Sequence, residues 1–196
     1  NNRDERSRYL LVENRKVENY VDMALYYARM DAVYKDYMIA ETNLQEVAQQ
    51  VLLQNKYYLI QSHVKAEVAC PDTVYSDKKW IAFILNQLIQ NSVKYGRSEG
   101  THIQIVTKKT KRGVLLRVKD DGIGIPKEEI PRIFEKGFTG TNGRNRERST
   151  GMGLYLCRKL CDKLNIEIRA ESAEGKGTEI ILMFPVSDYL TGYRET

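Results

Sequence analysis

Near the start of the chain, the apolar residues Leu10, Val17, Val21, Ala24 and Ala28 recur at spacings of 3, 4 and 7, the stripe of a long helix that packs on another helix. This predicts a helix from Tyr9 to about Val33, after a polar, frayed stretch over residues 1–8. Polar residues from Asp36 to Asn43 mark a joint. Thr42, with Gln45 three residues on, has the form of a capping box and predicts a second helix through about Tyr58. Alternation in Val64, Ala66 and Val68, stopped by Pro71-Asp72, predicts a short strand, with a second brief one at Thr73–Tyr75. Ser76 can cap a third helix carrying Trp80, Ile81, Ile84, Leu85, Leu88 and Ile89 to about Tyr95. Strands follow at Ile103–Lys108 and Val114–Lys119 around a Lys111-Arg112-Gly113 turn. A helical turn near Lys127–Phe134 leads into a Gly-rich stretch from Gly137 to Gly151. The last helix is expected from about Gly153 to Leu164, and strands at Ile166–Ser172 and Thr178–Phe184 flank the turn Gly175-Lys176-Gly177. The sum is an α+β fold: a two-layer sandwich with a mixed, mostly antiparallel sheet covered by helices, preceded by a long N-terminal helix.

The 196 residues allow one ordinary domain plus an appendage. With 42% hydrophobic and 29% charged residues the chain has the composition of a soluble globular protein. Its longest apolar run, Ile81–Leu85, is far short of the ~18 residues that span a bilayer. Opening on Asn1-Asn2-Arg3, it reads as a piece of something longer. The formal charge of +5 is spread among interspersed signs, unlike the segregated excess of a nucleic-acid polyelectrolyte binder, so no nucleic-acid partner is expected. The local basic concentration is Lys136, Arg144, Arg146 and Arg148 in the Gly-rich stretch, which is either a solvated loop or a mobile cover over polyphosphate. Cys70, Cys157 and Cys161 are too few and too badly spaced for a disulfide framework or a zinc site, and are read as buried free thiols. His63 and His102 lack a second ligand type nearby and are read as strand or strand-edge residues.

Four short segments carry candidate chemistry. In Asn86–Tyr95, the residues Gln87, Asn91, Lys94 and Tyr95 fall on one side of a helix whose other side is apolar. An amide oxygen, an ammonium and a phenol in one row can meet a metal ion and phosphate oxygens; the Asn91 carbonyl is a hard, neutral ligand and Lys94 a countercharge. Taken alone, the same row is what a solvated polar face looks like. In Asp120-Asp121-Gly122-Ile123-Gly124-Ile125-Pro126, alternate glycines allow backbone to approach a flat ligand, and a carboxylate at a strand end can accept from an exocyclic amine. A calcium loop or ordinary turn is the other reading, though the later ligands of an EF-hand are missing. Thr150-Gly151-Met152-Gly153-Leu154 opens the final helix, where exposed backbone N–H groups suit an anion; an unrelated Gly-rich entry turn would look alike. Phe134 and Phe138 around Lys136 look like anchors for one end of the Gly-rich loop.

In this order and spacing the four segments resemble the N, F, G1 and G2 boxes of the histidine-kinase branch of the superfamily of gyrase, Hsp90, histidine kinases and MutL, over about residues 40 to 185. Val17-Glu18-Asn19-Tyr20-Val21 and Ala24–Arg29 resemble the second helix of a dimerisation and phosphotransfer hairpin, and Phe134–Gly140 followed by Asn142-Gly143-Arg144 looks most like the bacitracin-resistance type of kinase. The resemblance implies a Bergerat-type ATP-binding fold, with residues 1–36 from the dimerisation region, 37–186 as the ATP-binding domain and 187–196 as a tail. It implies ATP and Mg²⁺, with Asn91 holding the metal that bridges the phosphates and Gln87 assisting through the metal or its waters. Lys94 and Tyr95 would contact phosphate and close a wall. Asp120 would read the adenine amine, helped through water by Thr178, while Gly122 and Gly124 leave room and Ile125 lines the site. Gly151 and Gly153 would offer backbone N–H groups to the phosphates, with Met152 and Leu154 also binding the nucleotide, and Lys136 with Arg144 or Arg148 would come from the cover, one of the arginines neutralising the γ-phosphate.

The implied partners are a response-regulator receiver domain, a second copy through the hairpin, and a peptide-exporting ABC transporter. The implied parent is a cell-membrane protein with this part in the cytoplasm. Gln87 stands where ATP-hydrolysing relatives carry a Glu that activates water, and an amide cannot accept that proton. A phosphoacceptor box is absent too, since Ser62-His63-Val64 and Thr101-His102-Ile103 do not match it. The expectation is therefore a kinase catalytic domain without its acceptor histidine. A gyrase- or chaperone-type ATPase clamp, an anti-sigma-type serine kinase and a degenerate interaction module are the competing readings.

Overall fold

The computed structural model describes residues 2–29, 37–141 and 150–186. Arg144, Arg146 and Arg148, the end of the first predicted helix from Met30 to Val33, Asp36 at the start of the joint, and the tail from Ser187 lie outside the described residues. In chain order the elements are α1 (Asn2–Arg29), β1 (Ala40–Asn43), α2 (Leu44–Gln54), α3 (Lys56–Gln61), β2 (Val64–Ala69), β3 (Thr73–Ser76), α4 (Lys78–Lys94), β4 (Thr101–Thr110), β5 (Gly113–Asp120), a 3₁₀ turn (Ile130–Arg132), α5 (Gly153–Lys163), β6 (Glu167–Ser172) and β7 (Thr178–Pro185). A five-stranded sheet runs β2-β4-β5-β7-β6, and β1 pairs with β3 in a separate antiparallel ribbon. Within the large sheet only β2–β4 is parallel; β4–β5, β5–β7 and β6–β7 are antiparallel. This is the mixed, mostly antiparallel sheet expected from the sequence.

Alternation in the strands sends one side of the sheet to the helices. Ile103 and Ile105 of β4, Leu116 and Val118 of β5, Ile168 of β6, and Ile180, Leu182 and Phe184 of β7 join a core with Leu44, Val47 and Val51 of α2, Ile81, Ile84, Leu85 and Leu88 of α4, and Leu156 and Leu160 of α5. Each fully buried aliphatic side chain contributes ~1.5–3 kcal/mol, and this apolar layer is what clamps α4 onto the sheet. Cys70, Cys157 and Cys161 are buried free thiols, and burial pushes Cys70 up to about 11 and Cys161 to about 12. His102 lies in β4, its Nε2 3.2 Å from Glu67 Oε1, and His63 takes a positive φ just before β2. α1 lies against the domain through Tyr26, whose ring is 4.3 Å from Phe83, edge-on, and 4.8 Å from Trp80.

Four boundaries differ from expectation, the last three for a tertiary reason. Residues 2–8 belong to α1. Asn43, not Thr42, caps α2 by accepting from Glu46 N at 3.1 Å; Thr42 is drawn into the β1–β3 ribbon opposite Val74, where its hydroxyl donates to Ser76 O, and Gln45 instead accepts from Cys70 N. Asp77, not Ser76, caps α4 by accepting from Lys79 and Trp80 N, and its second oxygen accepts from Met38 N. The helix expected to reach Tyr58 is broken at Asn55, whose buried amide donates to Val51 O and Asn86 Oδ1 and accepts from Gln90 Nε2. That polar link ends α2 and ties it to α4.

Candidate functional site

The C-terminal half of α4 faces the end of β5, and a cavity opens between them. Its walls are Leu88, Asn91 and Ser92 from α4 with Tyr95 just past its end, Val118 and Asp120 from β5, Gly124, Ile125, Pro126 and Glu129 from the following loop, Ile133 and Phe138–Gly140 from the turn beyond, Leu154 from α5, and Thr178 and Ile180 from β7. A second, more polar cavity adjoins it, lined by Gln87, Gln90, Asn91, Lys94, Tyr95, Thr150, Gly151, Gly153 and Leu154, with Tyr58 of α3 and Tyr20 and Met23 of α1. Asn91, Tyr95, Ile133, Phe138 and Leu154 line both. The pair forms a flat apolar slot with one acidic end, continuing into a chamber of amides, a lysine and glycine backbone.

Asp120 is the acidic end. Its Oδ2 accepts from Ser92 Oγ at 2.8 Å, and its Oδ1 accepts from Gly122 N at 3.0 Å and Thr178 N at 3.1 Å. Burial pushes its carboxyl above the usual range, opposed by those three hydrogen bonds and reinforced weakly by Asp121. Thr178 therefore supports Asp120 directly through its backbone N–H, while its hydroxyl meets Ser172 Oγ at 3.0 Å.

The glycines owe their identity to the protein's own packing. A Cβ on Gly122 would stand 2.5 Å from Tyr95 O, and one on Gly124, at φ +70°, would stand 2.0 Å from Ala173 O. The loop is thereby pressed between the end of α4 and the β6–β7 turn, where Ile123 N donates to Tyr95 O and Gly175 N to Ile123 O. Gly124 lines the first cavity, whereas Gly122 lines neither. Gly153 makes room for Gln87, whose Oε1 would be 2.9 Å from a Cβ there. Gly151, at φ +64°, accepts from Gly137 N, and its own Cβ would collide with the Gly137 backbone.

Gln87, Asn91, Lys94, Tyr95, Asp120, Gly124, Ile125, Gly151, Gly153, Leu154 and Thr178 thus converge on two adjoining cavities. Besides Gly122, two other described candidates do not. Lys136 donates to Tyr27 Oη at 2.5 Å with its ammonium 4.8 Å from that ring, a contact that raises its pKa, and it is on neither wall. Met152 packs its side chain against the core. Arg144 and Arg148 lie outside the described residues. The sequence reading missed Ser92, Gln90, Glu129 and Tyr58. Ser92 and Gln90 flank Asn91 and could have been flagged as polar neighbours on the same helix; Glu129 has no local signal.

Such an α/β sandwich, with an acid-ended slot opening into a glycine- and amide-lined chamber, defines an ATP-binding domain. Residues 76–188 match the family described as histidine kinase-, DNA gyrase B-, and HSP90-like ATPase. The chain belongs to this family. It is 36% identical to the sensor protein kinase GraS of Staphylococcus aureus over 189 residues, covering 94% of this chain and 53% of GraS. It is 34% identical to the sensor histidine kinase YxdK of Bacillus subtilis over 174 residues, covering 88% of this chain and 54% of YxdK. The chain therefore spans about half the length of the curated relatives it matches. Among solved structures it resembles the catalytic domain of the histidine kinase ThkA, with TM-score 0.65, 26% identity, and coverage of 76% of this chain and 97% of that one. ThkA in complex with the response regulator TrrA matches in fold, with TM-score 0.66 at 23% identity over 90% of this chain and 49% of that one.

Proposed function

We propose that the chain is the kinase domain of a two-component sensor of the bacitracin-resistance type, transferring the γ-phosphoryl of ATP to a histidine on a hairpin helix outside this sequence and thence to an aspartate of a response regulator. The observation that carries this is the placement of Asp120 and Asn91 on one cavity that continues past Gln87, Lys94, Gly151 and Gly153. Asp120 accepts from the adenine amine while Ser92, Gly122 and Thr178 hold it in place. The apolar walls of Leu88, Val118, Ile125 and Ile180 sandwich the base, and Lys94 with the α5 N-terminus meets the phosphates. Gln87 holds no transferable proton acceptor, so water is not activated there and the phosphoryl group is kept for an imidazole. In the transfer a histidine nitrogen bonds to the γ-phosphorus, the bond to the β-phosphate oxygen breaks, and ADP leaves; positioning and charge neutralisation supply the catalysis.

Among the described residues, no group of three or more His, Cys, Asp or Glu could hold a metal. Neutral amide oxygens from Asn91 and Gln87 suit an ion that takes most of its ligands from phosphate and water, as Mg²⁺ does. Asn91 would hold it, with Gln87 acting through its water, and the ion would supply charge neutralisation at the phosphates. On this reading residues 1–36 belong to the dimerisation hairpin, 37–186 to the ATP-binding domain and 187–196 to a tail, and a second copy pairs through the hairpin. No helix among the described residues is long and apolar enough to cross a membrane; membrane helices and a transporter partner belong to the parent protein.

The test supplies a separate hairpin bearing the acceptor histidine together with Mg-ATP. Acid-labile phosphate on the hairpin is expected with the parent chain and is lost with Asn91→Ala. Steady ATP hydrolysis without hairpin labelling would replace the kinase with an ATPase clamp.

A further inference from the structure

Part of the first cavity's wall, Phe138, Thr139 and Gly140, follows the 3₁₀ turn and is supplied by no strand of the sheet and by neither α4 nor α5. What holds this wall against the slot is Glu129. Its Oε1 accepts from Thr141 N at 2.8 Å and from Thr141 Oγ1 at 2.6 Å, twelve residues on. Gly140 is shaped for that carboxylate: at φ +60° it is in glycine's territory, and a Cβ would stand 2.5 Å from Glu129 Oε2. Glu129 is anchored in turn. Its N–H donates to Pro126 O, one residue past Ile125, whose own N–H donates to Ser172 Oγ. It is therefore carried by the same short loop that begins at Asp120. The far side of the wall is fixed independently, since Gly137 N donates to Gly151 O and the Arg132 guanidinium lies 4.6 Å over the Phe138 ring.

The geometry points to Glu129 as a positioning residue for the nucleotide, a latch that holds the Phe138–Thr141 wall closed over the base-binding slot by binding both donors of Thr141. It rests on the assignment of ATP to this cavity. The latch bonds do not involve Asp120, Asn91 or Lys94, and Thr141, unlike Glu129, is not on the cavity wall, so Thr141→Val opens an exit without altering the lining. The effect falls on dissociation, where most affinity changes appear. The carboxylate–Thr141 bonds are exposed, so the expected change is no more than that of about one net hydrogen bond, roughly 5-fold.

The experiment follows release of a fluorescent ATP analogue from the 196-residue chain by stopped flow, for parent, Glu129→Ala, Thr141→Val, Thr141→Ser and the Glu129→Ala/Thr141→Val double variant. The latch requires faster release by up to about 5-fold in Glu129→Ala, a smaller increase in Thr141→Val, which keeps its N–H, and parental release in Thr141→Ser, which keeps both donors. The double variant should release no faster than Glu129→Ala. Rescue by serine separates a latch from a general loss of structure, and the surface Thr141 variants carry the test if Glu129→Ala fails to fold. Parental release in Glu129→Ala or Thr141→Val, or single effects that multiply in the double variant, overturns the latch while leaving the kinase reading intact. Failure of the parent chain to bind nucleotide would overturn both.

Discussion

Replacing Asp120 by Asn is the most informative perturbation of the site. The carboxylate accepts three protein hydrogen bonds, from Ser92 Oγ, Gly122 N and Thr178 N. An amide has one acceptor oxygen, so its NH₂ must face either Ser92 Oγ, which can turn to accept, or two backbone N–H groups, which cannot. The first orientation leaves the fold nearly intact, because removing a desolvated charge offsets the weaker hydrogen bonds; the stability change should be within about 1–2 kcal/mol. An adenine amine then meets an NH₂ where it had met a charged acceptor. Losing a hydrogen bond to a charged group costs ~1.5–3 kcal/mol, or roughly 10- to 150-fold in ATP affinity. Inosine triphosphate, which presents a carbonyl in place of the amine, should lose less or gain, so the ATP-to-ITP preference of the parent should shrink or reverse. Isothermal titration of both nucleotides decides this, with urea unfolding as the control.

The same group sets a pH dependence. Burial raises its pKa in the folded chain above that of the unfolded chain. Between those two values the folded state holds more protons, so this group's contribution to stability falls as pH rises through that window. If Asp120 reads the base as proposed, ATP needs the ionised acceptor, so affinity should fall on acidification at a higher pH than an exposed aspartate would set, and Asp120→Asn should flatten that acid limb. A folded Asp120→Asn variant with unchanged ATP-to-ITP preference, or one that keeps the acid limb, would refute the assignment of Asp120 to the base.

Two further substitutions test the supports of the site. Gly122→Ala places a methyl group 2.5 Å from Tyr95 O; the end of α4 must shift, with ~1–3 kcal/mol lost in urea unfolding and weaker nucleotide binding because Tyr95 lines both cavities. Unchanged stability together with unchanged affinity would contradict this. Asn55→Ala removes its hydrogen bonds to Val51 O, Asn86 Oδ1 and Gln90 Nε2 at a position that is 1% exposed, so about 1–2 kcal/mol should be lost in urea unfolding; a loss below about 0.5 kcal/mol would mean the link adds nothing.

Periodicity is a local property, and the elements it marks were legible from the chain alone. The 3- and 4-residue recurrence through Ile81, Ile84, Leu85 and Leu88 belongs to a helix wherever it packs, and the alternation of Val64, Ala66 and Val68 to a strand. The order and spacing of Asn91, Asp120, Gly122, Gly124, Gly151 and Gly153 were likewise readable, and with them the family. Choices between neighbours were not. Thr42 and Asn43 can each cap a helix, as can Ser76 and Asp77; pairing of β1 with β3 settles the first by occupying the Thr42 hydroxyl, and for the second it keeps Ser76 within β3, so that Asp77 is the residue at the start of α4.

The partners of several polar groups lie far along the chain. Ser92 meets Asp120 across 28 residues, Asn55 meets Gln90 across 35, and Lys136 meets Tyr27 across 109, distances over which no spacing rule operates. The sequence by itself determined which segments fold into helix or strand and which residue types stand ready to hold a nucleotide. Only the tertiary structure decided which of them share a wall, that Gly122 yields to Tyr95 O and not to a ligand, and that Glu129 reaches Thr141, because those outcomes depend on how separate elements approach in space.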